Sequence, residues 1–374
     1  MKKRILSYTF FAVVILVVSV TLLVIRQKGP RELQVSIYNQ WNELFVHEVS
    51  GKKKVFINTK GTKKGNVSLS EAQGYGMLIA TEQTHTDSNK SQEMFDKLDA
   101  YYLSNRDAGT NLMSWKQVIS HNGKRIKKYH NNATDGDLYI AYSLIRAAKK
   151  WPQKAPYYKK QAKAILEDIL KYNYNSSTGS LMVGNWAKGT KYANLLRTSD
   201  VLPAQFEEFY HFTGDKVWLS IKDKMLSNLV ELSKKHKTGL IPDMAWIKKD
   251  GSVTSVGKKS HFGKYNRYYY YNACRLPYNL SQSNDSKSRL VLRKMMKFFM
   301  SRENIAGGYT LSGQQLSNYQ SASFGAPIFY AAKDSKKYNK LTQLEKYIFM
   351  QKLEVNNYYQ SALVTLASEK FFKN

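Results

Sequence analysis

The chain has 374 residues, 43% hydrophobic and 23% charged, which excludes a disordered or collagen-like polymer and leaves room for one large core or two small ones. It carries 58 Lys and Arg against 28 Asp and Glu, a net charge of +30, so anionic neighbours are favoured over cationic ones. The single cysteine, Cys274, excludes an internal disulfide framework, a cysteine-based zinc site and a CxxC redox centre.

Residues 5–25, ILSYTFFAVVILVVSVTLLVI, run for 21 positions without a charge. At 1.5 Å per residue such a helix is about 30 Å long, the thickness of a bilayer core. Met1, Lys2, Lys3 and Arg4 precede it, which by the positive-inside rule puts residues 1–4 in the cytoplasm and the bulk of the chain outside. The length of the run, with no A-x-A pattern after it, favours an uncleaved signal-anchor over a signal peptide. The expected order is a cytoplasmic segment 1–4, a transmembrane helix 5–25, a short linker 26–34 and one external domain, 35–374. Such a chain suggests a bacterium with a single membrane. Residues 1–28 hold five bases (Lys2, Lys3, Arg4, Arg26, Lys28) and no acid, so the external part keeps +25. Anionic wall polymers, lipid headgroups or an acidic glycan suit that field, with a merely solubilising surface as the plain alternative. Nucleic acid is not expected, because the bases are scattered and no nucleic-acid motif occurs.

Helical periodicity recurs from there on. Leu138, Ala141, Tyr142 and Ile145 fall at i, i+3, i+4, i+7, and Tyr158, Ala162, Ile165, Leu166 and Ile169 repeat the pattern. Further stretches cover 33–49, 71–84, 90–104, 200–212, 216–236, 269–280, 286–302, 319–334, 340–352 and 356–371. Strand-like alternation is confined to short pieces such as 54–58. An all-α domain of about a dozen helices follows, as a solenoid or a closed toroid; no short sequence repeat favours the solenoid.

Four places in the connections carry chemistry. In 70–77, SEAQGYGM, Ser70 is placed to cap a helix, with Glu71 in its first turn as a complement to the helix dipole or as a working acid. Two glycines there cost about 1 kcal/mol each against alanine, so something must approach that backbone closely. In 132–138, NATDGDL, Thr134 or Asp135 as N-cap accounts for one acid but not for the pair Asp135 and Asp137. Trp115 and Trp186 sit in polar, loop-like contexts that suit stacking on sugar faces or ordinary packing. The fourth is 269–277, YYYNACRLP. The seven histidines show no metal-ligand spacing.

These segments resemble family 8 glycoside hydrolases. Residues 70–77 resemble the family's S-E-G-Q-G-Y-G-M signature. Residues 133–151 resemble its A-(T/S)-D-(G/A)-D segment. Residues 239–243, GLIPD, resemble its G-x-x-P-D-W stretch, with Met244 in place of Trp, and 272–277 resemble D-A-x-R-x-P. The order holds over about 35–371, and the resemblance implies an (α/α)6 barrel with a cleft at one end. It also implies inverting, endo-acting hydrolysis of β-1,4-linked polysaccharide, needing neither metal nor cofactor. Glu71 matches the general acid and Asp135 the acid that contacts the sugar at the cleavage point. The usual base position is Asn272, which cannot accept a proton at neutral pH. Chitosanase- and lichenase-like members also carry Asn there and draw an acid from an inserted loop. The matching insertion, 244–268, holds only Asp250. Asp243, then Asp200, then Asp250 are the candidate bases. Trp115, Trp186, Tyr75, Tyr271, Asp200, Asn272 and Arg275 are the candidate substrate-binding residues. The charge suits a neutral, acetylated or anionic glycan better than cationic chitosan, and a membrane tether suits the cell's own exopolysaccharide or biofilm glycan. A glycan-binding descendant without turnover, or an accessory of a membrane synthase, is the alternative that Asn272 raises.

Overall fold

A computed structural model describes residues 11–19, 29–49, 51, 53–61, 63–83, 87–120, 124–258 and 263–371. Of the expected membrane span, 5–10 and 20–25 lie outside the described residues; 11–19 are helical with exposed side chains. No helix among the described residues is long and apolar enough to cross a membrane.

From Pro30 on, twelve α-helices are described. They are α1 Pro30–Phe45, α2 Ser70–Glu82, α3 Ser88–Ser104, α4 Thr134–Lys150, α5 Ala155–Tyr172, α6 Pro203–Thr213, α7 Val217–Lys234, α8 Leu276–Ser281, α9 Ser286–Met300, α10 Ala322–Ala332, α11 Asn339–Glu345 and α12 Tyr358–Phe371. The even-numbered helices touch in sequence, and α12 touches α2, so they close a ring. Each is backed by an odd-numbered helix. This is an (α/α)6 barrel, the toroid among the two architectures that periodicity leaves open.

Burial explains the two kinds of helix. Inner helix α2 is buried from Ala72 to Thr81, as a helix covered on all sides must be. Outer helix α5 buries only Tyr158, Ala162, Ile165, Leu166 and Ile169, one stripe. Burying side chains of that size stabilises by about 1.5–3 kcal/mol each before ordering costs. Local signals set the ends. Asp87 accepts from the N–H of Asn89 and Lys90 at the start of α3, Pro203 opens α6, and Gly214 at φ 74° ends it.

Some boundaries differ from the periodicity. Helix α1 begins inside the expected linker and stops at Phe45, because Val46–Glu48 (β1) pairs with Val55–Ile57 (β2). Of 269–280 only 276–280 lies in α8, which continues to Ser281 and follows a 3-10 turn. The connections hold more strand than alternation suggested. Asn66–Leu69 (β3), Lys116–Ile119 (β4) and Ile126–Tyr129 (β5) form one antiparallel sheet. Tyr174–Asn175 (β6) pairs with Ser180–Leu181 (β7). Leu195–Arg197 (β8), Met244–Ile247 (β9) and Val253–Ser255 (β10) form a second three-stranded sheet. The insertion 244–268 thus opens with a hairpin. β3 runs straight into α2 and β8 into the turn before α6, so the two larger sheets stand beside the N-terminal ends of the inner helices.

Candidate active site

All six inner helices start at the same end of the barrel, where their unpaired N–H groups and dipoles favour negative charge. Glu71 is in the first turn of α2, Asp135 in that of α4, and Tyr358 opens α12. Asp200 and Arg275 lie in 3-10 turns just before α6 and α8.

The close approach that the glycines of 70–77 demand is made by α4. A Cβ on Gly74 would stand 2.6 Å from Cβ of Tyr139, and one on Gly136 2.3 Å from Oγ of Ser70. Ser70 is therefore not a cap. Leu69 is the N-cap residue, and the buried Ser70 hydroxyl packs against Gly136 with no hydrogen-bond partner among the described residues. Nor do Thr134 or Asp135 cap α4, whose N-cap is Ala133. Thr134 donates instead to the carbonyl of Met182 at 2.6 Å.

Arg275, buried at 2% exposure, organises the centre. Its Nη1 donates to Oε1 of Glu71 at 2.6 Å, to the hydroxyl of Tyr75 at 2.9 Å and to Oδ2 of Asp135 at 3.3 Å. Its Nη2 donates to Oγ of Ser199 at 2.7 Å and to Oδ1 of Asn272 at 3.2 Å. Tyr358 donates to Oε2 of Glu71 at 2.7 Å. Asp135 also accepts from Nη2 of Arg197 at 2.8 Å and from the N–H of Gly136 at 3.0 Å. Arg197 Nε donates to Oδ1 of Asp200 at 2.7 Å.

The two first-turn acids are driven apart. Burial pushes the Glu71 carboxyl up, and the nearby Asp135 charge adds to this against the pull of Arg275. Burial acts on Asp135 too, but Arg197 and Arg275 together outweigh it and hold that carboxyl below its ordinary value. Both phenols, Tyr75 and Tyr358, are pushed well up by burial and stay neutral.

Asp243 lies beyond Asn272. Its Oδ1 accepts from the N–H of Tyr270 at 2.9 Å and of Ala273 at 2.8 Å, and Nδ2 of Asn272 donates to its Oδ2 at 3.3 Å. Burial raises it to about 6 despite those bonds. Asp200 is likewise raised by burial to about 6, with Arg197 opposing. Asp137 serves the fold: it accepts from the N–H of Met113 at 2.8 Å and from Asn132 at 2.7 Å, and burial carries it to about 8. Asp250 is apart from all of these, in the exposed turn of the β9–β10 hairpin, where it accepts from Ser252.

The aromatic candidates stand around this centre. The carbonyl of Trp115 accepts from the N–H of Ser70, which fixes it beside Glu71, and the residue is 40% exposed. Trp186, 37% exposed, follows Asn185, which exchanges hydrogen bonds with Asn132 just ahead of Asp135. It meets Tyr192 at 5.4 Å, and Tyr192 stacks on Trp246 at 6.2 Å. The Tyr271 and Tyr319 hydroxyls are 3.3 Å apart. Sequence reasoning missed Arg197, Ser199, Tyr358, Tyr192 and Trp246 as site members. Tyr358 had a signal, a phenolic side chain at the start of an inner helix, and Arg197 and Ser199 had another, their place beside Asp200 in the segment RTSD; Tyr192 and Trp246 had none. No group of three or more His, Cys, Asp or Glu side chains that could hold a metal occurs among the described residues.

The family model of glycosyl hydrolases family 8 matches residues 33–370. An endoglucanase of Bacillus sp. (strain KSM-330) is 29% identical over 333 residues, covering 84% of this chain and 70% of that protein. A beta-glucanase of Niallia circulans is 31% identical over 304 residues, covering 76% and 73%. Among solved structures, the apo beta-1,3-1,4-glucanase of Paenibacillus sp. X4 aligns with a TM-score of 0.82 at 26% identity, over 93% of each chain. Rex8A of Paenibacillus barcinonensis complexed with xylose aligns at 0.72 and 20% identity, over 93% and 95%, a likeness of fold alone. With buried acids gathered at one end of an (α/α)6 barrel and a family match over nearly its whole length, the chain belongs to the glycosyl hydrolases of family 8 and is a glycosidase.

Proposed function

We propose that the protein is an inverting, endo-acting glycosidase that cleaves β-1,4-linked polysaccharide, with glucan-type chains as its substrate class. The observation that carries this is the Glu71–Arg275–Asp135 arrangement: two carboxylates on one guanidinium nitrogen, one pushed towards the protonated form and one held ionised. Glu71 then protonates the leaving glycosidic oxygen, and ionised Asp135 stabilises the positive charge that develops on the sugar. Asp243 is the base, taking a proton from the attacking water through Oδ2, with Asn272 beside it holding that oxygen's direction. Aromatic rings on both sides of the centre suit a chain that passes across it, which supports endo action. The names of the relatives, endoglucanase and beta-glucanase, support the substrate class.

The reading extends to location. Residues 5–25 hold the protein in a cell membrane, with the barrel outside and an exopolysaccharide within reach. Gln34, early in α1, bonds Glu369, late in α12, at 2.7 Å. The chain thus enters the barrel at the end opposite Glu71, which supports a cleft facing away from the bilayer.

The test is hydrolysis of soluble β-glucans, followed by reducing ends and by proton NMR of the first product. The α-anomer first, with turnover lowered about 10²–10⁴-fold by Glu71→Gln, is the expected result. The β-anomer first would make Asp135 a nucleophile and overturn the assignment of the base. Binding without turnover by the unaltered protein would favour a glycan-binding role, the reading that Asn272 raises.

A further inference from the structure

We infer that the glycan taken by this cleft carries acidic substituents, carboxylate or phosphate, along its backbone; the inference rests on the hydrolase reading above. The charge of the chain is not evenly spread. The six connections that lead into the inner helices (46–69, 105–133, 173–202, 235–275, 301–321 and 351–357) hold, among their described residues, 24 Lys and Arg against 7 Asp and Glu. The five connections at the opposite end (83–87, 151–154, 214–216, 282–285 and 333–338) hold 5 against 4. The cleft end thus carries an excess of +17 in its described residues, on connections far longer than those opposite. The site residues cancel in this count, Asp200 and Asp243 against Arg197 and Arg275. Residues 108–120 and 124–131, whose strands β4 and β5 extend the sheet that β3 carries into Glu71, hold five bases and no acid.

The lysines of these walls sit on the aromatic platforms. Lys116 Nζ lies 5.5 Å from the ring centre of Trp115 and 4.9 Å from that of Tyr129, and Lys127 Nζ lies 5.1 Å from Tyr129. On the other wall Lys191 Nζ is 5.2 Å from Tyr192, the ring between Trp186 and Trp246. None of Lys116, Lys127 and Lys191 has a carboxylate within 4.0 Å among the described residues. Ammonium groups held against these rings, without a carboxylate partner among the described residues, fit a sugar that packs along the aromatic wall and projects an anion towards them. Lysine's flexible stem tolerates substituents spaced irregularly along a chain. A lipid surface is a poorer occupant, because the chain enters from the opposite end.

The experiment uses the full-length protein in mild detergent and three β-1,4-glucans of matched length: hydroxyethyl, carboxymethyl and phosphorylated. kcat/KM is measured at 0.01 M and 1 M salt, where the screening length falls from about 30 Å to about 3 Å. The expected result is a preference of about tenfold or more for one or both anionic glucans at low salt, lost at high salt. The two anionic arms tell carboxylate from phosphate. The triple variant Lys116→Gln/Lys127→Gln/Lys191→Gln should bring the anionic-to-neutral ratio close to one with an unchanged melting temperature. Equal or better cleavage of the neutral glucan at low salt overturns the inference and leaves the hydrolase reading standing. If none of the three is cleaved, the hydrolase reading fails instead. Affinity electrophoresis through the anionic glucans then decides: salt-sensitive retention lost in the triple variant supports the acidic ligand, and no retention overturns it. Lysine-dependent binding to phosphatidylglycerol vesicles, with no preference among glucans, also overturns it and assigns the walls to a lipid surface.

Discussion

The hydroxyl of Tyr358 donates a 2.7 Å hydrogen bond to Oε2 of Glu71, joining the last inner helix to the first. Arg275 holds the other oxygen and has no acceptor to offer, so a proton on Glu71 resides on Oε2, where a phenol can both give and receive. The bond from Tyr358 favours the ionised form of Glu71. Tyr358→Phe removes it and should raise the Glu71 pKa. The alkaline limb of the pH–activity profile, where the acid loses its proton, should move up by about half a unit or more. An unmoved limb would detach that limb from Glu71.

Arg275 serves five acceptors from a buried position, and lysine cannot reproduce its fork. Arg275→Lys should lower kcat by about 10²-fold or more, and Arg275→Ala should cost about 3–5 kcal/mol of stability by leaving buried carboxylates without a partner. Denaturant melts beside kinetics read both effects.

Asn272 lies 3.3 Å from Oδ2 of Asp243. Asn272→Asp would set two carboxyls side by side, and like charges so close cannot both ionise. With Asp243 as the proposed base, the acidic limb expected near pH 6 should then rise by about one unit or more. Asp243→Asn should abolish that limb and about 10²–10⁴-fold of the rate, a loss that Asp250→Asn in its exposed turn should not cause.

Gly136 is where α4 meets Ser70. Gly136→Ala should cost about 1–3 kcal/mol, since the added methyl stands 2.3 Å from Oγ and 2.7 Å from the backbone carbon of Ser70. Pairing it with Ser70→Gly should recover part of the loss, because the side-chain clash is removed while the backbone contact remains. Thermal melts of the two variants check this.

Glu345 is buried, and burial alone raises its pKa to about 7 from the ordinary 4.5. Between those values the folded state keeps a proton that the unfolded state has lost, so stability falls as pH rises. Its contribution is full below about pH 4.5 and gone above about pH 7, roughly 3 kcal/mol in all. Glu345→Gln should therefore raise the melting temperature at pH 8 and leave it little changed at pH 4.5.

Amino-acid order alone determined a good deal here. Twelve helices were legible because each outer helix must bury a stripe, as Tyr158 to Ile169 do, and that need imposes a 3.6-residue period. Glu71, Asp135 and the glycines beside them were legible because glycines in a first helical turn are costly and because the segments that hold these acids resemble the family's signatures. Only the tertiary structure decided that the ring closes, that Gly74 and Gly136 face α4 and α2, and that Arg275 lies between Glu71 and Asp135, 204 and 140 positions away. It alone set Asp243 behind Asn272 and left Asp250 out in a turn. The reason is physical. Local periodicity records which face of an element is covered, whereas the pKa of a carboxylate depends on burial and on charges brought to it from distant parts of the chain.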